Sequence, residues 1–168
     1  MKIKVVGRRW FEVKKREALS ALFAENRIVS IQSSFGWDRR PPFPPGLLPH
    51  PNVRCYRFDD YTSLEEGCEN REALPILFER WHAEAIIQFV ADDSLPLIVQ
   101  CTEGISRSAA VGQAFDWQFN CRMNQNPADH QFFLESNPQL HPNPLVLKVM
   151  MGVLGDRLPS VVSKKGSE

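Results

Sequence analysis

One cysteine and one arginine have the most chemically informative spacing in the sequence. Cys101 follows the nearly continuous apolar run 95–99, Gly104 lies midway along the next segment, and Arg107 immediately precedes Ser108. A short loop at a helix N-terminus can direct successive backbone N–H groups at one anion. Arginine adds a planar fork that grips two phosphate oxygens, which lysine cannot do. The predicted phosphate-binding residues are Thr102, Glu103, Gly104, Ile105, Ser106 and Arg107.

Cys101 occupies the position in this loop from which a nucleophile would reach a bound phosphate. A helix N-terminus and a nearby cation both stabilise a thiolate relative to a thiol. A thiolate at the floor of a phosphate cradle is placed for in-line attack on phosphorus, and water would later resolve the covalent intermediate. Ser108 can hydrogen-bond the sulfur and ease its departure in the second step. The predicted catalytic set therefore begins with Cys101, Arg107 and Ser108.

The segment 101–108, Cys-x-Glu-Gly-x-Ser-Arg-Ser, resembles the signature of the cysteine-dependent protein tyrosine phosphatases, and most closely their compact dual-specificity branch. The order of predicted elements over 53–154 is similar to that branch as well. The resemblance implies an α/β fold with a central, mostly parallel sheet flanked by helices. It also implies hydrolysis of phosphotyrosine in proteins through a cysteinyl-phosphate intermediate, with phosphoserine and phosphothreonine as further substrates where the cleft is shallow.

The resemblance further implies an aspartate general acid on a loop upstream of the cysteine. The alternating run 53–58 ends in two carboxylates, of which Asp60 is the predicted acid and Asp59 the alternative. The acid would protonate the leaving oxygen and then help to activate water. Because the acid must be protonated while the cysteine is ionised, a bell-shaped pH profile is expected.

Gln100 departs from the resemblance, because the residue before the cysteine is usually histidine in this family. Glutamine can hydrogen-bond but carries no charge, and this departure is expected to affect the rate more than the class of reaction. A catalytically weak phosphate- or phosphoprotein-binding module, a pseudophosphatase, is therefore one alternative. A rhodanese-type sulfurtransferase, which also uses a loop thiolate after a strand, is another, although Arg107 and the upstream acid argue against it. The absence of lysine from the loop favours protein substrates over phosphoinositides.

Hydrophobic periodicity predicts the elements that must position this loop. The run 95–99 is typical of a strand buried on both faces of an α/β sheet, so the loop would begin at the carboxyl end of a central strand. Strands separated by helices predict parallel pairing. Other strands are predicted over 3–6, 10–13, 28–31 and 53–58, and helices over 14–23, 72–90, 108–122, 128–136 and from 144 onward.

The segment 33–52 is rich in proline and therefore excludes a helix or an inner strand. Two interpretations remain open from the sequence. It is either a surface connection stiffened by polyproline conformation, or a rim of the site on which Trp37, Arg39 and Arg40 help to select substrates.

The composition of the chain limits its domain number, its partners and its metal content. The 168 residues suit one domain, predicted over 1–158 and followed by a polar tail over 159–168. Twenty basic and twenty acidic side chains cancel, which argues against nucleic acid or an anionic membrane as partner. Four cysteines without a CxxC pair predict reduced thiols, a cytoplasmic protein and no metal site. No cofactor is expected. The predicted partners are a phosphorylated protein or peptide, and a phosphate or sulfate anion in the loop.

Overall fold

A parallel β-sheet forms the centre of the protein. The computed structural model describes residues 1–36, 39–64, 74–91 and 94–156. Within these residues the sheet has four strands in the order β1-β4-β2-β3, and every neighbouring pair is parallel. The strands are β1 Ile3–Gly7, β2 Arg27–Gln32, β3 Val53–Arg57 and β4 Leu97–Cys101. The predicted α/β class with a mostly parallel sheet is confirmed.

Helices cover both faces of the sheet. The bounds are α1 Arg9–Glu12, α2 Arg16–Glu25, α3 Arg80–Phe89, α4 Arg107–Asp116, a π-helical segment Trp117–Met123, α5 Pro127–Ser136 and α6 Pro144–Asp156. One apolar cluster joins α1 and α2 to one face, and a larger one joins α3, α4 and α6 to the other. Among the described helices, none is both long and apolar enough to cross a bilayer.

Strand β4 lies between β1 and β2, and all five of its residues are buried, as its apolar sequence predicts. Helix α4 packs closely on the same part of the sheet, because a Cβ at Gly112 would lie only 2.6 Å from the Val5 Cγ2 methyl. The small residues at the start of α4 therefore bring the helix N-terminus close to the end of β4. This places the cysteine loop at the carboxyl edge of the sheet.

Three predicted elements differ from the structure, and the strand predicted over 10–13 is wrong. Residues 10–13 contain the short helix α1 instead of a strand, and α1 buries Phe11 against the sheet. Of the helix predicted over 72–90, residues 74–79 are irregular and the helix begins at Arg80, where Glu79 and His82 form a reciprocal capping box. The helix predicted over 108–122 becomes π-helical after Asp116.

The proline-rich connection between β2 and β3 is packed against α1 and α2. Phe43 makes edge-to-face contacts with Phe11 and Phe23, at centroid distances of 5.1 and 5.0 Å. Arg16 Nη1 donates a hydrogen bond to the Pro45 carbonyl at 3.0 Å. The connection is therefore held to the body of the protein by both apolar and polar contacts. The predicted domain boundary at 158, the tail over 159–168 and Trp37 lie outside the described residues.

His82 lies in the first turn of α3, and its side chain is buried among aromatic rings. It stacks on Phe78 and Trp81 at centroid distances of 5.4 and 3.5 Å, and its Nδ1 accepts a hydrogen bond from the Glu79 N–H at 3.1 Å. Burial lowers the pKa of His82 from its ordinary value of 6.5. The unfolded chain therefore binds a proton at a higher pH than the folded chain does. The stability that neutral His82 contributes is present above pH 6.5 and is lost as the pH falls through the lowered pKa.

We expect His82→Gln to reduce the pH dependence of stability in this acidic range. Glutamine does not titrate, and at this position it can keep the capping box. The free energy of unfolding, from urea titrations between about pH 7.5 and 5.5, should fall less steeply in the variant, by at most ~1.4 kcal/mol per pH unit for one proton. Equal slopes in variant and parent would show that His82 does not titrate in this way.

Candidate active site

The cysteine loop turns back across the end of β1. Gly7 pairs with Cys101 in the sheet, and the Arg8 N–H donates a hydrogen bond to the Thr102 carbonyl at 2.9 Å. A Cβ added at Gly7 would lie 2.7 Å from the carbonyl oxygen of Glu103, which is closer than real Cβ contacts. Gly104 has a φ of 77°, a region that glycine adopts without strain. The two glycines therefore allow one backbone to lie directly against the other.

The Cys101 sulfur lies inside this loop, where its side chain is buried. Ser108 Oγ is 3.0 Å from the sulfur, and the Gly104 N–H donates to it at 3.3 Å. The sulfur therefore lies between the Ser108 hydroxyl and a backbone N–H, beside the N-terminus of α4, whose dipole favours negative charge.

Arg107 joins the loop to the ends of two neighbouring strands. Its guanidinium is buried and donates through Nη1 to Ser33 Oγ at 3.0 Å and to the Phe58 carbonyl at 2.9 Å. Nη2 donates to Thr102 Oγ1 at 2.8 Å. Ser33 follows β2 and Phe58 follows β3, so the guanidinium is fixed by three separate segments. Its orientation is set before any ligand arrives.

Asp60 lies beside the loop and contacts it directly. Its Oδ1 accepts hydrogen bonds from Ser106 Oγ at 2.7 Å and from Asn143 Nδ2 at 2.8 Å. Its Oδ2 is 4.0 Å from Arg107 Nε, and the side chain is 40% exposed. The structure thus brings together the predicted acid, the predicted arginine and a solvent-accessible face.

Asp59 points elsewhere and has a different set of partners. It is buried, and its carboxylate accepts hydrogen bonds from the backbone and side chain of Ser34 and from the Ile76 N–H. The Asp59 N–H in turn donates to the Ile76 carbonyl at 2.7 Å. Asp59 therefore ties the loop after β2 to the segment that precedes α3.

The remaining predicted loop residues either expose their side chains to solvent or bind other segments through their backbone. Glu103 and Ile105 have exposed side chains. The carbonyls of Ile105 and Ser106 accept hydrogen bonds from the N–H groups of His141 and Asn143, at 2.9 and 3.3 Å. The segment that leads into α6 therefore supports the outer side of the cysteine loop.

Gln100 lies directly beneath the site and belongs to a buried polar chain. Its Oε1 accepts a hydrogen bond from Ser30 Oγ at 2.6 Å, and Ser30 Oγ in turn accepts one from Gln32 Nε2 at 2.7 Å. All three side chains are buried. The floor of the site is therefore hydrogen-bonded but uncharged.

Ser33, Asn143 and Gly7 contribute to the site although the sequence pattern gives them no role in it. Each is far from Cys101 in the chain and is brought close by strand pairing or by the approach to α6. Only Asn143 has a recognisable local signal. It lies before the proline that opens α6, and its Oδ1 accepts the Val146 N–H at 3.0 Å, as expected of a helix N-cap.

The comparisons with known proteins agree with this architecture. No protein-family model and no curated protein matches the sequence. Among solved structures, human DUSP28 is 18% identical, with a TM-score of 0.53 over 92% of this chain and 88% of that one. PTPMT1 is 12% identical, with a TM-score of 0.50 over 92% of this chain and 90% of that one. The chain has the fold of the dual-specificity phosphatases. In that fold, the resemblance at 101–108 falls on the loop that joins β4 to α4.

We expect Gly7→Ala to weaken anion binding by the cysteine loop. The new methyl group would press on the Glu103 carbonyl, and overpacking of this kind typically costs ~1–3 kcal/mol. Inorganic phosphate should raise the melting temperature of the parent protein, and that shift should be reduced or lost in the variant.

Gly152→Ala in α6 is the matched control, because a Cβ there meets no atom within 4 Å. This variant should retain the full phosphate-dependent shift. A full shift in Gly7→Ala as well would show that the close backbone contact is not needed for anion binding.

Proposed function

We propose that this protein hydrolyses phosphotyrosine in proteins through a cysteinyl-phosphate intermediate. The observation that carries the proposal is the convergence of three groups on one loop. The Cys101 sulfur lies within hydrogen-bond distance of Ser108, the Arg107 guanidinium is held rigidly, and Asp60 contacts the loop from its solvent side. The dual-specificity phosphatase fold supports phosphatase activity in general.

In the first step, the Cys101 thiolate attacks phosphorus, and an S–P bond forms as the bond to the tyrosyl oxygen breaks. Protonated Asp60 gives its proton to that oxygen. In the second step, Asp60 takes a proton from water, the water oxygen attacks phosphorus, and the S–P bond breaks. Ser108 donates to the departing sulfur, so free enzyme and inorganic phosphate result.

Arg107 and the loop N–H groups would bind the nonbridging oxygens throughout both steps. A fixed guanidinium is effective here, because it needs little reorganisation as charge redistributes on the phosphoryl group. Arg107 has three protein partners that set its orientation. Ser106 and Asn143 do the same for Asp60.

The surface of the loop supports a protein substrate. Ile105 is 37% exposed and gives the loop an apolar contact for an aromatic ring. Glu103 is exposed on the same loop, which opposes ligands that carry several phosphates at this point. A panel of phosphotyrosine, phosphoserine and phosphothreonine peptides tests this preference, and we expect the phosphotyrosine peptide to have the highest kcat/KM.

A phosphoprotein-binding module with weak turnover is the second candidate function. Gln100 favours it, because the buried chain with Ser30 and Gln32 brings no positive charge beneath the sulfur. Tight phosphopeptide binding by the wild-type protein without turnover would favour this candidate. A rhodanese-type sulfurtransferase has less support, since Asp60 and Arg107 give that reaction no evident role.

We expect Cys101→Ser to abolish hydrolysis of p-nitrophenyl phosphate and of phosphotyrosine peptides without loss of phosphate binding. Asp60→Asn should lower kcat on the phosphotyrosine peptide by about 10²–10⁴-fold, with a smaller effect on p-nitrophenyl phosphate, whose leaving group needs less protonation. Steady-state kinetics on the two substrates measure both effects.

Asp59→Asn is the control for the choice of acid. The buried Asp59 carboxylate accepts hydrogen bonds from Ser34 and Ile76, so the change should lower stability in urea titrations and affect both substrates alike. A leaving-group-dependent loss in Asp59→Asn, with none in Asp60→Asn, would transfer the acid role to Asp59.

We expect Asn143→Ser to lower kcat more than it changes KM. Serine keeps an acceptor for the N-cap of α6, so the helix start is retained, but it is too short to donate to Asp60. The acid would then be less well oriented, so kcat should fall more on the phosphotyrosine peptide than on p-nitrophenyl phosphate, whose leaving group needs less protonation. Equal losses on the two substrates would limit Asn143 to a structural role in α6.

A further inference from the structure

The backbone at Arg39 and Arg40 is held across the carboxyl edge of the sheet. Arg57, the last residue of β3, donates through Nη2 to the Arg39 carbonyl at 3.4 Å. Arg8, which follows β1, donates through Nη1 to the Arg40 carbonyl at 2.7 Å. Strands β1 and β3 are three strand spacings apart, about 14 Å, and β4 and β2 lie between them. The segment therefore spans the strand ends from which the cysteine loop begins.

These contacts use the carbonyls of Arg39 and Arg40, and both side chains are exposed. Among the described residues, no carboxylate lies within ion-pair distance of either guanidinium. Arg8, in contrast, forms an ion pair, in which its Nε lies 2.5 Å from Glu12 Oε1. The segment thus presents two adjacent cations to solvent on a backbone that other residues hold in place.

Arg8 also connects the segment to the cysteine loop. Arg8 binds the Arg40 carbonyl with its side chain and the Thr102 carbonyl with its N–H, at 2.7 and 2.9 Å. Thr102 directly follows Cys101, whereas Asp60 approaches from the Ser106 side of the same loop. The segment is therefore held to the Thr102 side of the cysteine loop through Arg8, and to the end of β3, the strand that leads to Asp60, through Arg57.

We infer that Arg39 and Arg40 form an anion subsite that selects phosphotyrosine peptides with acidic residues next to the phosphotyrosine. The inference rests on the proposed function and extends it to a substrate class. A guanidinium binds a carboxylate through paired hydrogen bonds, and two adjacent guanidinium groups attract an acidic segment over several ångströms. The sequence is compatible with either a surface connection or a rim of the active site. The fixed backbone and the exposed guanidinium groups favour the rim.

The test compares two phosphotyrosine peptides of equal length, one flanked by Asp and Glu and one by Asn and Gln. The measured quantity is the ratio of their kcat/KM values, in which a general loss of activity cancels. Wild type should prefer the acidic peptide by about fivefold or more at low salt, and Arg39→Ala/Arg40→Ala should bring the ratio close to one. Charge reversal to glutamate at both positions should invert the preference.

Arg54→Ala is the matched control, because this exposed arginine lies on β3 and binds the His50 carbonyl, away from the cysteine loop. It should retain the wild-type ratio. An equal ratio in wild type and in Arg39→Ala/Arg40→Ala would overturn the subsite, as would turnover of phosphoinositide vesicles with no turnover of either peptide.

A binding measurement distinguishes failure of the subsite from failure of the proposed function. If wild type turns over neither p-nitrophenyl phosphate nor peptide, the hydrolase proposal fails. Fluorescence anisotropy of both labelled peptides with the Cys101→Ser protein then measures the same ratio as Kd values. Tighter binding of the acidic peptide that depends on Arg39 and Arg40 supports the subsite, and equal binding of the two peptides refutes it.

Discussion

The buried guanidinium of Arg107 is the constraint on which the rest of the site depends. The residue begins α4, yet its acceptors lie on the cysteine loop, after β2 and after β3. A buried charge that loses its partners destabilises a protein by several kcal/mol, so these segments must remain together whenever the chain is folded. The side chain that we propose to bind the substrate phosphate therefore also holds the sheet edge and the loop in one arrangement.

Close backbone packing supplies the second part of the arrangement. Gly7 and Gly104 let the loop lie against the end of β1, which leaves the Gly104 N–H free of side-chain obstruction and within 3.3 Å of the Cys101 sulfur. Beneath the loop, Ser30, Gln32 and Gln100 form a neutral hydrogen-bonded floor. This floor carries no charge, so it adds no positive potential beneath the sulfur, whereas the N-terminus of α4 does.

The parts of the site that are contiguous in sequence could be predicted, and those assembled from distant segments could not. Strand, cysteine, glycine, arginine and helix follow one another between 97 and 116, so their local spacing determines the loop. Ser33 and Asn143 reach the loop only through strand order and the path into α6, which single-sequence patterns do not encode. The choice between Asp59 and Asp60 shows the same limit. The two are adjacent, and only the positions of Ser34 and Ile76 on one side and Asn143 on the other distinguish their surroundings.

In the proposed mechanism Cys101 carries the phosphoryl group between the two steps, and rapid acid quenching during turnover tests this role. Wild-type protein mixed with excess p-nitrophenyl phosphate is quenched, digested and examined by mass spectrometry. We expect a phosphate adduct on the peptide that contains Cys101, and no adduct on the same peptide from Cys101→Ser. Steady release of nitrophenol with the phosphate adduct on a different residue, or with turnover intact in Cys101→Ser, would contradict this role of Cys101.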